Sequence, residues 1–393
     1  MFDPRKTLRQ LSIPLLKEFF GRRGELQDLP WSDLTARRGI QPLSVVWQRL
    51  SEQARRDLHV QLRDVQAIAD DNGLRAIAEA LRTHYPQRMW EFQSCGSRLN
   101  KALWFRLNFP DLFDQAALFA RADHLSGGRY SVRRNTLPKQ RPVITEEITA
   151  NLGDALRKYY WSQELRGEQC RVEHYTRPDG NEYFFAYLDD WADAPLVFGD
   201  DGELEPLPAR YAFSVLFVFS PQDGSLELAA KGPQAIHYPL QRAFCQAVLG
   251  IDVEPANPLR PVYDLSMLLD PDFAFPTEPS DHVEQIKLPM IEFGPVDANR
   301  EVNLRRLKFS RKVSARRALQ LVRDELTGRG LSRNEVYVKH AAIQFRFLSG
   351  SSGRPGQMTV NVITPNTCDL KDKPEEMQAI GERCFKAWGV LCA

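Results

Sequence analysis

The sequence predicts an α+β protein with an N-terminal helical bundle, a central antiparallel β-sheet region and a C-terminal compact β-α-β-β-α unit. Apolar residues recur at helical spacing from residue 6 to about residue 160, and strand-forming residues with tight-turn signals follow from Cys170. After residue 300, strand and helix patterns alternate. The 393 residues exceed the roughly 250–300 at which one hydrophobic core stops growing, so two or three packed units are expected.

The N-terminal region contains at least three predicted helices. The clearest begins after Ser51, a candidate N-cap, and ends at the Asn72-Gly73 pair. Further helices are predicted over residues 74–81 and 99–107, the latter ending before Pro110. The buried face of the first helix consists of residues spaced i, i+4, i+7 and i+11, namely Leu58, Leu62, Val65 and Ala69.

A basic segment, residues 129–142, is predicted to be a linker or exposed loop because it places cations among Gly, Asn and Pro. It defines a helical domain over residues 1–142. An acidic β-rich domain over residues 143–299 follows, and it opens with a helix from Thr145 to about Trp161. The third predicted domain is a basic α+β domain over residues 300–393.

The central region is predicted to form an antiparallel sheet. Residues 171–175 and 182–187 are rich in β-formers and flank turn-forming residues, which predicts a hairpin. Residues 211–219 are almost continuously apolar, as in a central strand, and a turn connects them to a strand over 225–230. A helix over 239–249 precedes the proline-rich segment 255–279, which is predicted to be irregular and to lie over the sheet.

The last region contains a regular series of predicted elements joined by short turns. A flexible, exposed loop is predicted over 350–356, where Gly and Ser are frequent. The elements are a strand at 301–309, a helix at 313–327, strands at 335–347 and 357–363, and a helix at 374–388.

Charge is strongly segregated along the chain, although the net charge is only +1. Residues 1–142 contain 24 Lys and Arg against 15 Asp and Glu. Residues 161–299 contain 8 against 24, and residues 300–393 contain 18 against 9. Surfaces that carry opposite net charge influence how a protein associates with partners, and they do not determine its fold.

The first candidate site is a basic cluster over residues 300–317, which suits the phosphates of nucleic acid. The alternative is an ordinary solvated face, or a match to the acidic region of the same chain. Three aromatic residues on the next strand, Tyr337, Phe345 and Phe347, have the spacing of core residues rather than base-stacking ones. The cluster comprises Arg300, Arg305, Arg306, Lys308, Arg311, Lys312, Arg316 and Arg317.

The second candidate is catalytic and consists of His174, Asp189 and Asp190. A carboxylate near a strand histidine can raise its pKa, and clustered carboxylates can hold a divalent cation. The alternative is a structural histidine beside solvated turn carboxylates. The sequence contains no nucleotide-binding glycine loop and no Gly-x-Ser-x-Gly motif, and we predict no cofactor and no metal.

The six cysteines lack Cys-x-x-Cys spacing, and no apolar run has the length of a membrane span. A cytoplasmic protein without membrane contact is therefore expected.

Three segments resemble uncharacterised bacterial proteins without an assigned family name: residues 174–185, residues 364–371 and the terminal Trp388-Gly389-Val390. The resemblance is similar in kind to that of accessory proteins from mobile-element or anti-phage defence loci. It assigns no activity and no site residues.

The leading hypothesis is a non-enzymatic cytosolic protein that binds nucleic acid or a protein partner. A metal-dependent nuclease or hydrolase centred on the acidic region is the alternative from another class. A structural subunit, in which acidic and basic regions dock within one copy or between copies, is the third. Charge segregation is compatible with all three.

Overall fold

A computed structural model describes residues 3–25, 27, 29, 31, 47–126, 130–199, 201–255, 262–297, 306–349, 355–370 and 373–392. The chain divides into two compact units, residues 1–124 and 125–393. The predicted α+β class is confirmed, with helices in the N-terminal region and antiparallel sheets after it. Among the described residues, no helix combines the length and apolar character that crossing a membrane requires.

The first unit is helical, as the apolar spacing predicts. Ser51 caps the helix Glu52–Ala67, because the Ser51 hydroxyl accepts a hydrogen bond from the Ala54 backbone N–H at 3.1 Å. The predicted buried residues Leu58, Leu62 and Val65 are buried. The helices are α1 (Pro4–Gln10), α2 (Ile13–Gly21), α3 (Glu52–Ala67), α4 (Asp71–His84), α5 (Met89–Ser94), α6 (Arg98–Asn108) and α7 (Pro110–Ser126).

The predicted helix end at Asn72-Gly73 is wrong. Helix α3 ends at Ala67, and Asp70 caps α4 by accepting a hydrogen bond from the Gly73 backbone N–H at 2.7 Å. Gly73 is buried, and a Cβ built there would lie 1.9 Å from the carbonyl oxygen of Ile68. The glycine permits close packing between two turns of chain and does not terminate a helix.

The first half of the second unit is a five-stranded antiparallel sheet in the order β1-β7-β6-β3-β2. The predicted central strand, β6, does lie in the middle. Two helices, α8 and α9, pack on one face, where Leu156 and Phe244 meet Phe184 and Phe217. The elements are β1 (Ser131–Arg134), α8 (Glu146–Glu164), β2 (Cys170–Thr176), β3 (Glu182–Asp193), β4 (Leu196–Phe198), β5 (Leu204–Pro206), β6 (Ala209–Ser220), β7 (Ser225–Ala229) and α9 (His237–Leu249).

The second half has a sheet in the order β12-β11-β10-β8-β9. Its core lies between that sheet and two helices, and includes Leu319, Ile343, Phe345 and Phe385. The helices and strands predicted after residue 310 are confirmed to within about two residues at each end. They are β8 (Val283–Pro295), β9 (Leu307–Lys308), α10 (Ala315–Gly328), β10 (Val336–Ser349), β11 (Pro355–Ile363), β12 (Thr367–Cys368) and α11 (Glu375–Ala387).

Three sequence predictions need correction. Residues 131–134 of the expected linker form β1, which pairs with β7 because Val132 contributes to the core of the first sheet. The expected boundary at residue 300 falls between β8 and β10, which pair directly. In the described part of the expected strand over 301–309, residues 306–309, the strand β9 spans only two residues. Residues 301–305 lie outside the described chain, as do 350–354 of the expected loop.

The two sheets adjoin at their edges. The backbone N–H of Arg133 on β1 donates to the carbonyl of Asn366 at 3.0 Å, and the Thr367 hydroxyl on β12 donates to the carbonyl of Ser131 at 3.1 Å. The strand order therefore continues from β2 at one end to β9 at the other. The acidic segment after residue 189 and the basic segment around β9 belong to opposite ends of this series.

Candidate nucleic-acid interface

The basic cluster lies at one end of the second sheet, where β9 is the last strand among the described residues. Lys308 is on β9, opposite Met290 of β8, and is exposed. A turn follows, closed by a hydrogen bond from the Val313 N–H to the Ser310 carbonyl at 3.0 Å. Ser314 then caps α10 by accepting from the Arg317 N–H at 3.3 Å. A short edge strand, a tight turn and a helix start thus bring the cations together.

Two members of the predicted cluster are occupied by intramolecular partners. Arg306 donates from Nε to Glu292 at 2.7 Å, and Lys339 lies 3.5 Å from the other Glu292 oxygen. Burial disfavours ionisation of Glu292, but these two cations outweigh it and hold its pKa below the usual value. Arg317 donates to Gln320 at 3.2 Å and lies 4.0 Å from Asp324.

Four cations remain exposed and without an ion pair among the described residues: Lys308, Arg311, Lys312 and Arg316. We call these four the cation cluster. Arg300 and Arg305 of the predicted set lie outside the described chain. Of the eight predicted cations, six are described, and pairing within the fold leaves four of these available to a ligand.

The start of α10 strengthens the positive field. Its first turn contains no acidic residue, although acidic side chains are favoured there by the helix dipole. Arg316 instead adds a positive charge, which is unfavourable by about 0.3–1 kcal/mol unless an anion neutralises it. Backbone N–H groups at a helix start are themselves suited to phosphate.

A pocket of about 520 Å³ adjoins Arg316. Small-molecule sites typically have volumes of about 300–1,000 Å³. Phe273 and Phe275 form its aromatic wall, with ring centroids 4.9 Å apart, while Gln285 and Ser314 supply polar groups. Glu284 also lines it, and this carboxylate is paired with Arg346 at 3.3 Å.

The aromatic wall is held firmly in place. Phe275 packs edge-to-face on Trp388 at 5.2 Å, and the Trp388 indole N–H donates to the Pro276 carbonyl at 2.7 Å. Phe275 also has φ of 51°, a left-handed conformation that is costly for a residue with a side chain. The sequence does not predict this pocket, because the proline content of residues 255–279 predicts only an irregular segment. The Phe273-x-Phe275 pair within that segment was the available signal.

The expected core role of the strand aromatics is confirmed for Phe345 and Phe347, which are both buried in the core. Tyr337 differs, since 41% of its surface is exposed. It lies against Gly294, where a Cβ would come within 2.6 Å of the ring.

The catalytic candidates are not brought together. His174 pairs through Nε2 with Glu182 at 2.8 Å, and its register partner on β3 is Phe184. Asp189 lies five residues farther along β3, about 17 Å at the rise of an extended strand. His174 and the two aspartates therefore do not form one site.

Each of these aspartates has a structural partner. Asp189 accepts from the Gln169 N–H at 2.7 Å, and Asp190 accepts from Arg166 at 2.8 Å. Within the part of the chain that the structure describes, no three His, Cys, Asp or Glu side chains converge as a metal-binding group. Asp200 of the acidic region lies outside that part.

No protein-family model matches this chain, and no curated protein matches it.

Proposed function

We propose that this chain is a cytosolic, non-enzymatic protein that binds nucleic acid through the cation cluster. The supporting observation is the presence of four exposed cations, unpaired among the described residues, around the start of α10. Phosphate contacts of this kind supply sequence-independent affinity and release counterions when they form. The proposal requires no catalytic group.

The adjoining pocket favours a single-stranded ligand. A base that is not stacked in a duplex can insert against an aromatic side chain, while its neighbouring phosphates contact nearby cations. Phe273 is half-buried beside Arg316 in this pocket, so both kinds of contact are within one site. We therefore propose single-stranded DNA or RNA as the ligand class.

A charge-reversal variant tests the proposal. Arg311→Glu with Lys312→Glu should lower the affinity for a labelled oligonucleotide of about 20 nucleotides at least tenfold, because two phosphate contacts are lost. The magnitude of the log–log salt slope should also fall by roughly 0.7 for each lost contact. Fluorescence anisotropy across a salt series measures both quantities.

The matched control reverses two exposed lysines elsewhere, Lys158→Glu with Lys231→Glu, and changes the net charge equally. It should bind within about twofold of the parent. Equal losses in both variants would mean that net charge, and not the cation cluster, determines binding.

We also propose a protein partner, because exposed apolar side chains occur on the acidic hairpin that β4 and β5 form. This keeps the structural-subunit hypothesis as a complement to nucleic-acid binding. A role in bacterial anti-phage defence stays a prediction that the resemblance of the three segments alone supports.

Catalysis by the acidic region stays the alternative, and we expect no divalent-metal-dependent hydrolysis of DNA or RNA by the isolated chain. The reason is that Asp189 and Asp190 are engaged by Arg210 and Arg166 and lie far from His174. Incubation of the parent with both substrates in Mg²⁺ and Mn²⁺ checks this. Cleavage that disappears in a folded Asp189→Asn, Asp190→Asn variant would place an active site in the acidic region.

A further inference from the structure

A hairpin extends from the first sheet and presents an apolar face. Strands β3 and β6 pair as far as Asp193 and Ala209, and β4 and β5 continue as a separate two-stranded sheet. Leu196 lies opposite Pro206, and Phe198 opposite Leu204. Because directly opposed strand residues point to the same side, these four side chains share one face. We call them the hairpin face.

The hairpin face is open to solvent. Leu196 is 67% exposed, Phe198 73% and Leu204 56%. Among the described residues, each of the two strands also has one edge that pairs with no other strand. Such an edge is a template for association with another chain. A contiguous group of large apolar side chains in such a position is typical of a binding surface rather than of scattered surface residues.

The root of the hairpin is rigid. The Arg166 guanidinium lies 4.5 Å from the Trp191 ring centroid and 4.1 Å from that of Phe213, and it pairs with Asp190 at 2.8 Å. The Trp191 indole N–H donates to the Glu164 carbonyl at 3.0 Å. The hairpin is thus presented in a fixed direction, which reduces the entropy lost on binding.

Charge identifies the chemistry of the partner surface. Residues 189–207 contain seven Asp and Glu and no Lys or Arg. A partner must therefore be cationic and also offer an apolar recess. The cation cluster provides the charge, and the pocket beside it, with Phe273 and Val283 in its wall, provides the recess.

We propose that the hairpin face of one copy docks on the cation cluster of a second copy, with Phe198 entering the pocket. The proposal uses the same cluster as the proposed nucleic-acid site, but it does not depend on nucleic-acid binding. The acidic surface of one copy is complementary in charge to the basic surface of another copy. Two copies related by a twofold axis therefore make this contact twice.

The contact forms between copies because the two surfaces are far apart on one chain. With the sheets edge to edge, β3 and β9 are separated by eight strand spacings, about 35–40 Å at about 4.8 Å each. The exposure of Leu196, Phe198 and Leu204 agrees with this separation, since no described residue of the same chain covers them.

Sedimentation velocity of the full chain, freed of nucleic acid, tests the docking. We expect a dimer at about 50 mM NaCl and a monomer at about 500 mM, because screening weakens charge complementarity. Phe198→Asp with Leu204→Asp should give a monomer at both salt concentrations. The control, Val60→Asp with Val143→Asp, alters two exposed apolar side chains outside the hairpin and should leave the dimer intact.

A mixing experiment separates docking from a general loss of solubility or fold. The Phe198→Asp, Leu204→Asp chain retains its cation cluster, and the Arg311→Glu, Lys312→Glu chain retains its hairpin face. Each alone should be monomeric, whereas an equimolar mixture should associate through one intact contact. A parent that is monomeric at low salt, or a mixture that does not associate, would overturn the proposal.

Different results would refute the docking between copies and the proposed nucleic-acid binding. The Phe198→Asp, Leu204→Asp monomer should bind the labelled oligonucleotide at least as tightly as the parent, because its cation cluster is intact. Nucleic-acid binding without any dimer would refute only the docking. A dimer without nucleic-acid binding would refute only the proposed function.

Discussion

Replacing Gly73 with alanine should destabilise the first unit by about 2–3 kcal/mol, the range of a poorly accommodated core methyl group. Alanine normally stabilises a helix interior relative to glycine by about 0.5–1 kcal/mol, so the expected sign is reversed. The reason is steric, since the added Cβ would lie 1.9 Å from the Ile68 carbonyl oxygen and 2.6 Å from its carbon. Backbone atoms cannot move aside as the end of a flexible side chain can.

Hydrogen exchange read by mass spectrometry gives a local measurement of this effect. Peptides from α3 and α4 should exchange faster in Gly73→Ala, by about tenfold for each 1.4 kcal/mol of unfolding free energy that is lost. Gly153→Ala on α8 is the matched control, because its new Cβ would meet only ordinary contacts at 3.5 Å or more. That variant should be neutral or slightly more stable, and equal protection in all three proteins would contradict the packing explanation.

Replacing Glu182 with glutamine should destabilise the second unit by about 1–3 kcal/mol at neutral pH, the cost of leaving a buried hydrogen-bonding group without its partner. The carboxylate is only 2% exposed. It accepts from Arg141 at 2.6 Å and from Thr176 at 2.7 Å, and it pairs with His174 at 2.8 Å. Glutamine keeps the size of the side chain but removes the charge, so one of these partners loses its acceptor.

The pH dependence gives the second part of this prediction. Burial disfavours the charged form of Glu182, yet its hydrogen bonds with Thr176, Arg141 and His174 hold its pKa below the ordinary value of 4.5. The stabilisation is therefore present above pH 4.5 and is lost as the pH falls through the lowered pKa. Urea unfolding of parent and variant should converge in acid, whereas Glu376→Gln, at an exposed position, should differ little from the parent at any pH. A constant difference between parent and Glu182→Gln would show that lost packing, not charge, is responsible.

Much of this fold is visible in local sequence patterns, and the exceptions have physical causes. The uninterrupted apolar run around Phe217 predicts a central strand because such a strand is covered on both faces. Strand β8 was missed because Pro289 and Pro295 interrupt its pattern, and register shifts against β10 accommodate the irregularity. The Asn72-Gly73 pair predicts a helix end because a sequence does not reveal which neighbouring backbone the missing side chain of a glycine leaves room for.

The candidate site also combines features that the local sequence predicts with features that only the tertiary structure creates. The density of cations around Lys308 is a local property, so the sequence alone locates it. The neutralisation of Arg306 depends on Glu292, 14 residues away and brought near by the pairing of β8 with β9. The pocket requires three separate segments, represented by Phe273, Gln285 and Arg316, and only tertiary structure brings them together.

The edge contact between β1 and β12 has a consequence for synthesis on the ribosome. Ser131 and Thr367 are 236 residues apart, and Asn135 contacts the carbonyl of Cys392 at a separation of 257 residues. Strand β1 emerges early, yet its outer edge stays without these partners until almost all of the second unit has been translated. Contacts so distant in sequence are slow to form, whereas a helical unit dominated by nearby contacts folds quickly. The nascent chain therefore exposes an unpaired strand edge for most of its translation, the period in which chaperones are most needed.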